Sequence, residues 1–138
     1  MNIMFFLTYK SEVTYLYDDM GIKDGLDKLR ASGYHAIPLI SREGEYIGTV
    51  TEGDFLWMSC DCGELIGKKK TMSLQMRDLP RRCDNKAVDA IARIVDLLSR
   101  ASNQNFVPVI DDRNMFIGIV TRKKIFDYCY EHLKDMQL

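Results

Sequence analysis

The chain has 138 residues, 46% of them hydrophobic, enough for one compact domain or two half-size ones that share a core. Nineteen basic residues against twenty acidic ones leave a net charge of −1, so whole-chain electrostatics give no pull toward nucleic acid. No apolar run approaches the roughly 18 residues that suggest a membrane span; neither nucleic acid nor membrane is an expected partner, and the cytoplasm is the expected compartment.

The opening Met1-Asn2-Ile3-Met4-Phe5-Phe6-Leu7 has no basic start and too short an apolar run for a secretory signal, and reads as an edge strand or packing arm. Val13 to Leu16 is short and β-rich, with Asp18 and Asp19 following as turn and capping residues. Ile22, Leu26 and Leu29 recur at helical spacing, and Gly33 fits the stop. Ala36 to Ile40 and Tyr46 to Val50 flank a polar turn and read as a hairpin, after which Thr51 opens a second helix through Phe55, Leu56 and Cys60. A polar, locally basic linker covers residues 63–85. Beyond it, Ala87-Val88 makes a short strand, and Ile94, Leu97, Leu98 and Ala101 form one helix face. Phe106 to Ile110 and Met115 to Val120 flank the turn Asp111-Asp112-Arg113-Asn114, and Ile125, Phe126, Cys129, Tyr130 and Leu133 mark a closing amphipathic helix.

The second half repeats the first. Ile37-Pro38-Leu39-Ile40 and Tyr46-Ile47-Gly48-Thr49-Val50-Thr51 return as Val107-Pro108-Val109-Ile110 and Phe116-Ile117-Gly118-Ile119-Val120-Thr121, with proline, glycine and threonine at the same offset. Aligning the helices requires the loop into the hairpin to be about two residues shorter in the second copy than in the first. The expected fold class is α/β (α+β): two β-α-β-β-α repeats, residues 1–62 and 86–138, packed sheet to sheet with pseudo-twofold symmetry. Neither copy alone could bury two helices against a small sheet. Helix residues such as Ile22, Leu26, Leu56, Trp57, Ile125 and Phe126 are more apolar surface than one such core can cover, so a homodimer is expected to bury the remainder.

A proline-bearing strand, a hairpin and Gly-x-Val-Thr-x-x-Asp opening a helix, all duplicated, resembles the tandem CBS-domain pair, the module named after cystathionine β-synthase. The resemblance covers nearly the whole chain. It implies a stand-alone, non-catalytic sensor with one cleft per copy for an adenosine-containing ligand of the AMP, ADP, ATP or S-adenosylmethionine class, acting on an effector protein that the sequence does not name. It also implies that the adenine slots between the first short strand and the proline strand, which carries over to Val13, Tyr15 and Leu16 with Tyr34, His35, Ala36, Ile37 and Pro38.

The motif also has a physics of its own. Thr51-Glu52-Gly53-Asp54 lies where a strand becomes a helix, and the exposed N–H groups and helix dipole there suit a phosphate. The Asp54 carboxylate can accept from both ribose hydroxyls, yet Thr-x-x-Asp is equally a capping box that needs no ligand, and the two roles can coexist. In the second copy Thr121-Arg122-Lys123-Lys124 puts lysine where Asp54 stands, and lysine accepts no hydrogen bond. Either that cleft has lost ordinary nucleoside binding, the preferred reading, or Thr121 and Lys124 meet a phosphate. Arg81 and Arg82 in the linker are further candidates for phosphate contact. Cys60, Cys62, Cys83 and Cys129 lack the spacing of a disulfide framework or zinc site, so no metal or required cofactor is expected. No nucleophile–base pair stands at recognisable spacing, so an enzyme is the weakest reading. The alternative to a sensor is a ligand-free protein-interaction or oligomerisation module.

Overall fold

The computed structural model describes residues 2–136, so Met1, Gln137 and Leu138, the outermost positions of the two expected repeats, lie outside the described residues. In chain order the elements are β1 (Thr8–Tyr9), β2 (Leu16–Tyr17), α1 (Ile22–Ser32), β3 (Ala36–Ile40), β4 (Tyr46–Thr51), α2 (Glu52–Cys62), β5 (Val88–Asp89), α3 (Ile94–Ala101), β6 (Phe106–Ile110), β7 (Phe116–Thr121) and α4 (Arg122–Asp135). They fall into two units. One runs from Thr14 to Asp84, and the other joins the residues up to Val13 to those from Asn85 onward.

The unit from Thr14 to Asp84 holds a sheet of order β2-β3-β4. Leu16, Ile37, Leu39 and Val50 from the sheet meet Ile22 and Leu29 of α1 and Phe55 and Met58 of α2 in one apolar cluster. Gly33 ends α1 in the left-handed conformation, φ 75°, as its place after the last apolar position predicts. The segment beyond α2 reads as a polar linker in sequence, but Ile66, Met76 and Leu79 are buried in this same core. Gly25, in the middle of α1, leaves room for the Met76 side chain, which a Cβ at that position would strike.

The other unit holds a sheet of order β1-β7-β6-β5 over α3 and α4. The hairpins of the two units share one register: Ala36 faces Thr51 as Phe106 faces Thr121, and each has a bulge at the end of its proline strand. Each short strand runs parallel to its proline strand, Leu16 opposite Leu39 and Val88 opposite Val109. The second copy is shorter ahead of its hairpin, but not in the loop as expected: the loop covers 102–105 against 33–35, and the shortening falls in α3, Ile94–Ala101 against Ile22–Ser32 for α1. The opening segment is a packing arm through Leu7, with Ile3, Phe6 and Leu7 buried against Leu97, Val107 and Val120. It continues as the edge strand β1, paired antiparallel to β7. These residues serve the second repeat and not the first, because the core they enter belongs to α3, α4 and the second sheet.

Of the apolar helix residues that one core is not expected to cover in full, two are core residues. Ile22 is fully buried and Ile125 nearly so, because each lies on the first turn of its helix, directed at its own sheet. Leu56, Trp57 and Phe126 do remain exposed.

Candidate functional site

In the unit from Thr14 to Asp84, the start of β3 and the start of α2 lie side by side. Ala36 pairs with Thr51, and the Glu52 N–H donates to the His35 carbonyl at 3.1 Å. Tyr34, His35 and Ala36 therefore flank the Thr51–Asp54 corner. Tyr34 and His35 are exposed, and His35 Nδ1 lies 2.6 Å from Glu52 Oε1. A shallow pocket of about 280 Å³, lined by Leu26, Leu29, Arg30, Gly33, Tyr34 and Glu52, opens beside this corner.

The helix start is a complete capping box. The Thr51 hydroxyl accepts the Asp54 N–H at 3.2 Å, and Asp54 Oδ2 accepts the Thr51 N–H at 2.9 Å. Asp54 does more than cap. Its Oδ1 accepts the N–H of Arg82 at 3.1 Å, and the residue is 1% exposed. Thus both oxygens of the carboxylate that the nucleotide reading needs are already engaged by backbone N–H groups. One is local, and the other arrives from the linker.

The linker is fixed here by a second carboxylate. Asp84 Oδ1 accepts the Thr49 N–H at 2.9 Å and is also 2.8 Å from Arg81 Nε, while Arg81 Nη2 reaches Asp84 Oδ2 at 3.3 Å. Asp84 beside it raises the Arg81 guanidinium pKa still further, so Arg81 stays a cation and is paired. Arg82 is exposed, with its guanidinium over the Trp57 ring at 5.2 Å from the centroid. Thr49 is buried in mid-strand, and its hydroxyl lies 2.9 Å from the Tyr46 phenol. Burial pushes that phenol up to about 12, with the Thr49 contact opposing the shift.

The other expected adenine contacts lie on or before β2 and along β3. Leu16 and Ile37 bury their side chains in the core and so offer a ligand only main chain, while Pro38 is buried in mid-strand. Tyr15 is half-buried, edge-on to Tyr17 at 5.5 Å and with Lys28 Nζ 5.3 Å from its ring. Val13 follows the 3-10 turn Lys10–Glu12 and belongs with the other unit, since the strand begins only at Leu16.

The equivalent corner of the second repeat is simpler. The Thr121 side chain accepts the Lys124 N–H at 3.2 Å, but lysine cannot return the bond, so α4 has half a capping box. Lys124 is exposed. Sequence reasoning missed Asp84 and Thr49. Their signal was available: Thr49 is a polar residue in a strand whose copy carries Ile119, and a buried polar residue calls for a partner.

The CBS domain family matches residues 9–59 and 78–131. Among solved structures, CbpB in complex with c-di-AMP matches at TM-score 0.87 and 20% identity, over 99% of this chain and 89% of that one. The CBS domain protein from Streptococcus pneumoniae TIGR4 matches at TM-score 0.83 and 22% identity, over 94% and 87%. CBSX2 in complex with AMP matches at TM-score 0.73 and 18% identity, over 94% and 97%. At such identities the likeness speaks for the fold. A comparison with curated proteins finds no match.

Proposed function

This chain belongs to the CBS-domain family, and from that premise we propose that it is a non-catalytic regulatory module that binds an adenine nucleotide at the start of α2. The observation that carries the reading is the Thr51–Asp54 corner. It sets the Thr51 hydroxyl and the Asp54 carboxylate at the positive end of a helix beside Tyr34 and His35, the kinds of group that ribose and phosphate require, with Asp54 open to ribose once its linker N–H is given up. Contacts from β3 and α2 at once let the ligand bias the position of the elements it touches, and that differential affinity is what passes a signal to an effector protein. No helix among the described residues is long and apolar enough to cross a membrane.

The asymmetry between Asp54 and Lys124 sets the expected stoichiometry. Calorimetric titration with AMP is expected to give one site per chain. Lys124→Asp completes the second capping box, restores an acceptor for ribose hydroxyls and raises the count to two. Two sites in the unmodified protein would assign Lys124 to phosphate binding instead.

Self-association is the companion proposal. Leu56 and Trp57 on α2, and Phe126, Tyr130 and Leu133 on α4, leave large apolar side chains exposed at helical spacing. Light scattering at micromolar concentration is expected to report a homodimer, and a monomer would remove the proposal.

A further inference from the structure

The two sheets protect their outer edges by different means. In the second repeat the free edge of β7 is covered by β1 through backbone pairing, Thr8 opposite Ile119 and Tyr9 opposite Gly118. In the first repeat the equivalent edge, β4, is met by residues 81–84, and among the described residues no strand pairing forms there. That segment is held by carboxylates: Asp84 on the Thr49 N–H and on Arg81, and Asp54 on the Arg82 N–H. Gly48 makes the approach feasible, since a Cβ there would strike Asp84 and Arg81. All these groups lie within the unit from Thr14 to Asp84.

We infer that residues 81–84 form a latch that competes with the nucleotide for Asp54, so that ligand entry and release of the linker are one coupled event. The inference rests on the nucleotide reading above and adds its regulation. At 1% exposure, with each oxygen on a backbone N–H, the Asp54 carboxylate has no open face for ribose hydroxyls while the latch is closed. Giving up the Arg82 N–H frees Oδ1. Coupling between two such events is reciprocal: whatever loosens the linker strengthens nucleotide binding, and bound nucleotide loosens the linker. Among the described residues the second repeat shows no such device, because its edge is backbone-paired to β1 and does not share a side chain with its helix start.

The test uses AMP as probe on the whole chain, with Asp84→Ala to open the latch without touching Asp54. Gly48→Ala is the second variant, displacing the segment while keeping every latch side chain. Hydrogen exchange of peptides covering residues 80–84 and calorimetric affinity are read together. AMP is expected to speed exchange in this segment of the unmodified protein. Both variants are expected to exchange fast there without ligand and to bind AMP about three- to ten-fold more tightly, the equivalent of one lost competing hydrogen bond. Slower exchange on AMP binding, with affinity unchanged in both variants, overturns the latch and leaves the nucleotide site standing. No heat from AMP, nor from ADP, ATP, c-di-AMP or S-adenosylmethionine titrated in its place, in any of the three proteins overturns the nucleotide reading itself, and the coupling with it.

Discussion

Asp54→Ala is expected to abolish AMP binding and to lower unfolding free energy by about 2–4 kcal/mol. A helix cap alone would account for about 1 kcal/mol. The larger figure follows from what the carboxylate holds: the Thr51 N–H at the helix start and the Arg82 N–H in the linker, both at a buried residue. Removing the side chain strands two donors, and each unsatisfied donor costs about 1–3 kcal/mol. Urea denaturation, with calorimetry on the same variants, measures both effects. Asp54→Asn keeps an acceptor for one donor, so about half the stability loss is expected with binding still absent. A loss of only about 1 kcal/mol in the Ala variant would mean that the contact to Arg82 contributes nothing.

Gly118→Ala is expected to destabilise the protein by about 3 kcal/mol, the upper end of what an overpacked core costs, although it adds a single methyl group. The new Cβ would run into the Thr8 carbonyl oxygen and lie 2.9 Å from Leu7 Cδ1. Backbone cannot swing aside as a side chain can, so β1 must leave β7 or the hairpin must shift. Loss of β1 would carry Ile3, Phe6 and Leu7 away from the core they enter. The matching change in the first repeat, Gly48→Ala, meets only side-chain atoms of Asp84 and Arg81, so the linker segment can swing away and the expected cost is about 1–2 kcal/mol, that of the hydrogen bonds it gives up. Denaturation midpoints, with hydrogen exchange over residues 2–13, decide between them. Equal costs would mean that the two edges are covered in the same way.

The contrast between these glycines also shows what a sequence can carry. The repeat, the hairpins and the helices α1 to α4 are legible because each rests on local period and punctuation: proline in the strand, threonine at the helix start, Gly33 at the helix end. The recurrence of Gly48 and Gly118 is legible too, but not its reason, because the segments that press on them come from elsewhere in the chain. The same holds for the arm that joins the second repeat and for the linker residues Ile66, Met76 and Leu79 that enter the first core. Such partners are fixed by tertiary contact and leave no periodic trace. At the candidate site, Thr51 and Asp54 are recognisable as cap and acceptor from spacing alone. That Asp54 is shared with Arg82, and that Arg81 is tied to Asp84, depends on a loop folding back across a strand edge. Which apolar helix residues stay uncovered is likewise not periodic: Ile22 and Ile125 are buried, while Leu56, Trp57 and Phe126 are exposed.

The account stands on nucleotide binding at the α2 helix start. Calorimetric titration of the unmodified chain with AMP, ADP, ATP, c-di-AMP and S-adenosylmethionine tests it most directly, with Asp54→Ala run alongside. At least one of these ligands is expected to bind at the Thr51–Asp54 corner and to lose its heat in the variant. At about 100 times its dissociation constant it should also stabilise the fold by about 2.7 kcal/mol. Absence of binding by all five, or binding that survives loss of the Asp54 carboxylate, would contradict the account.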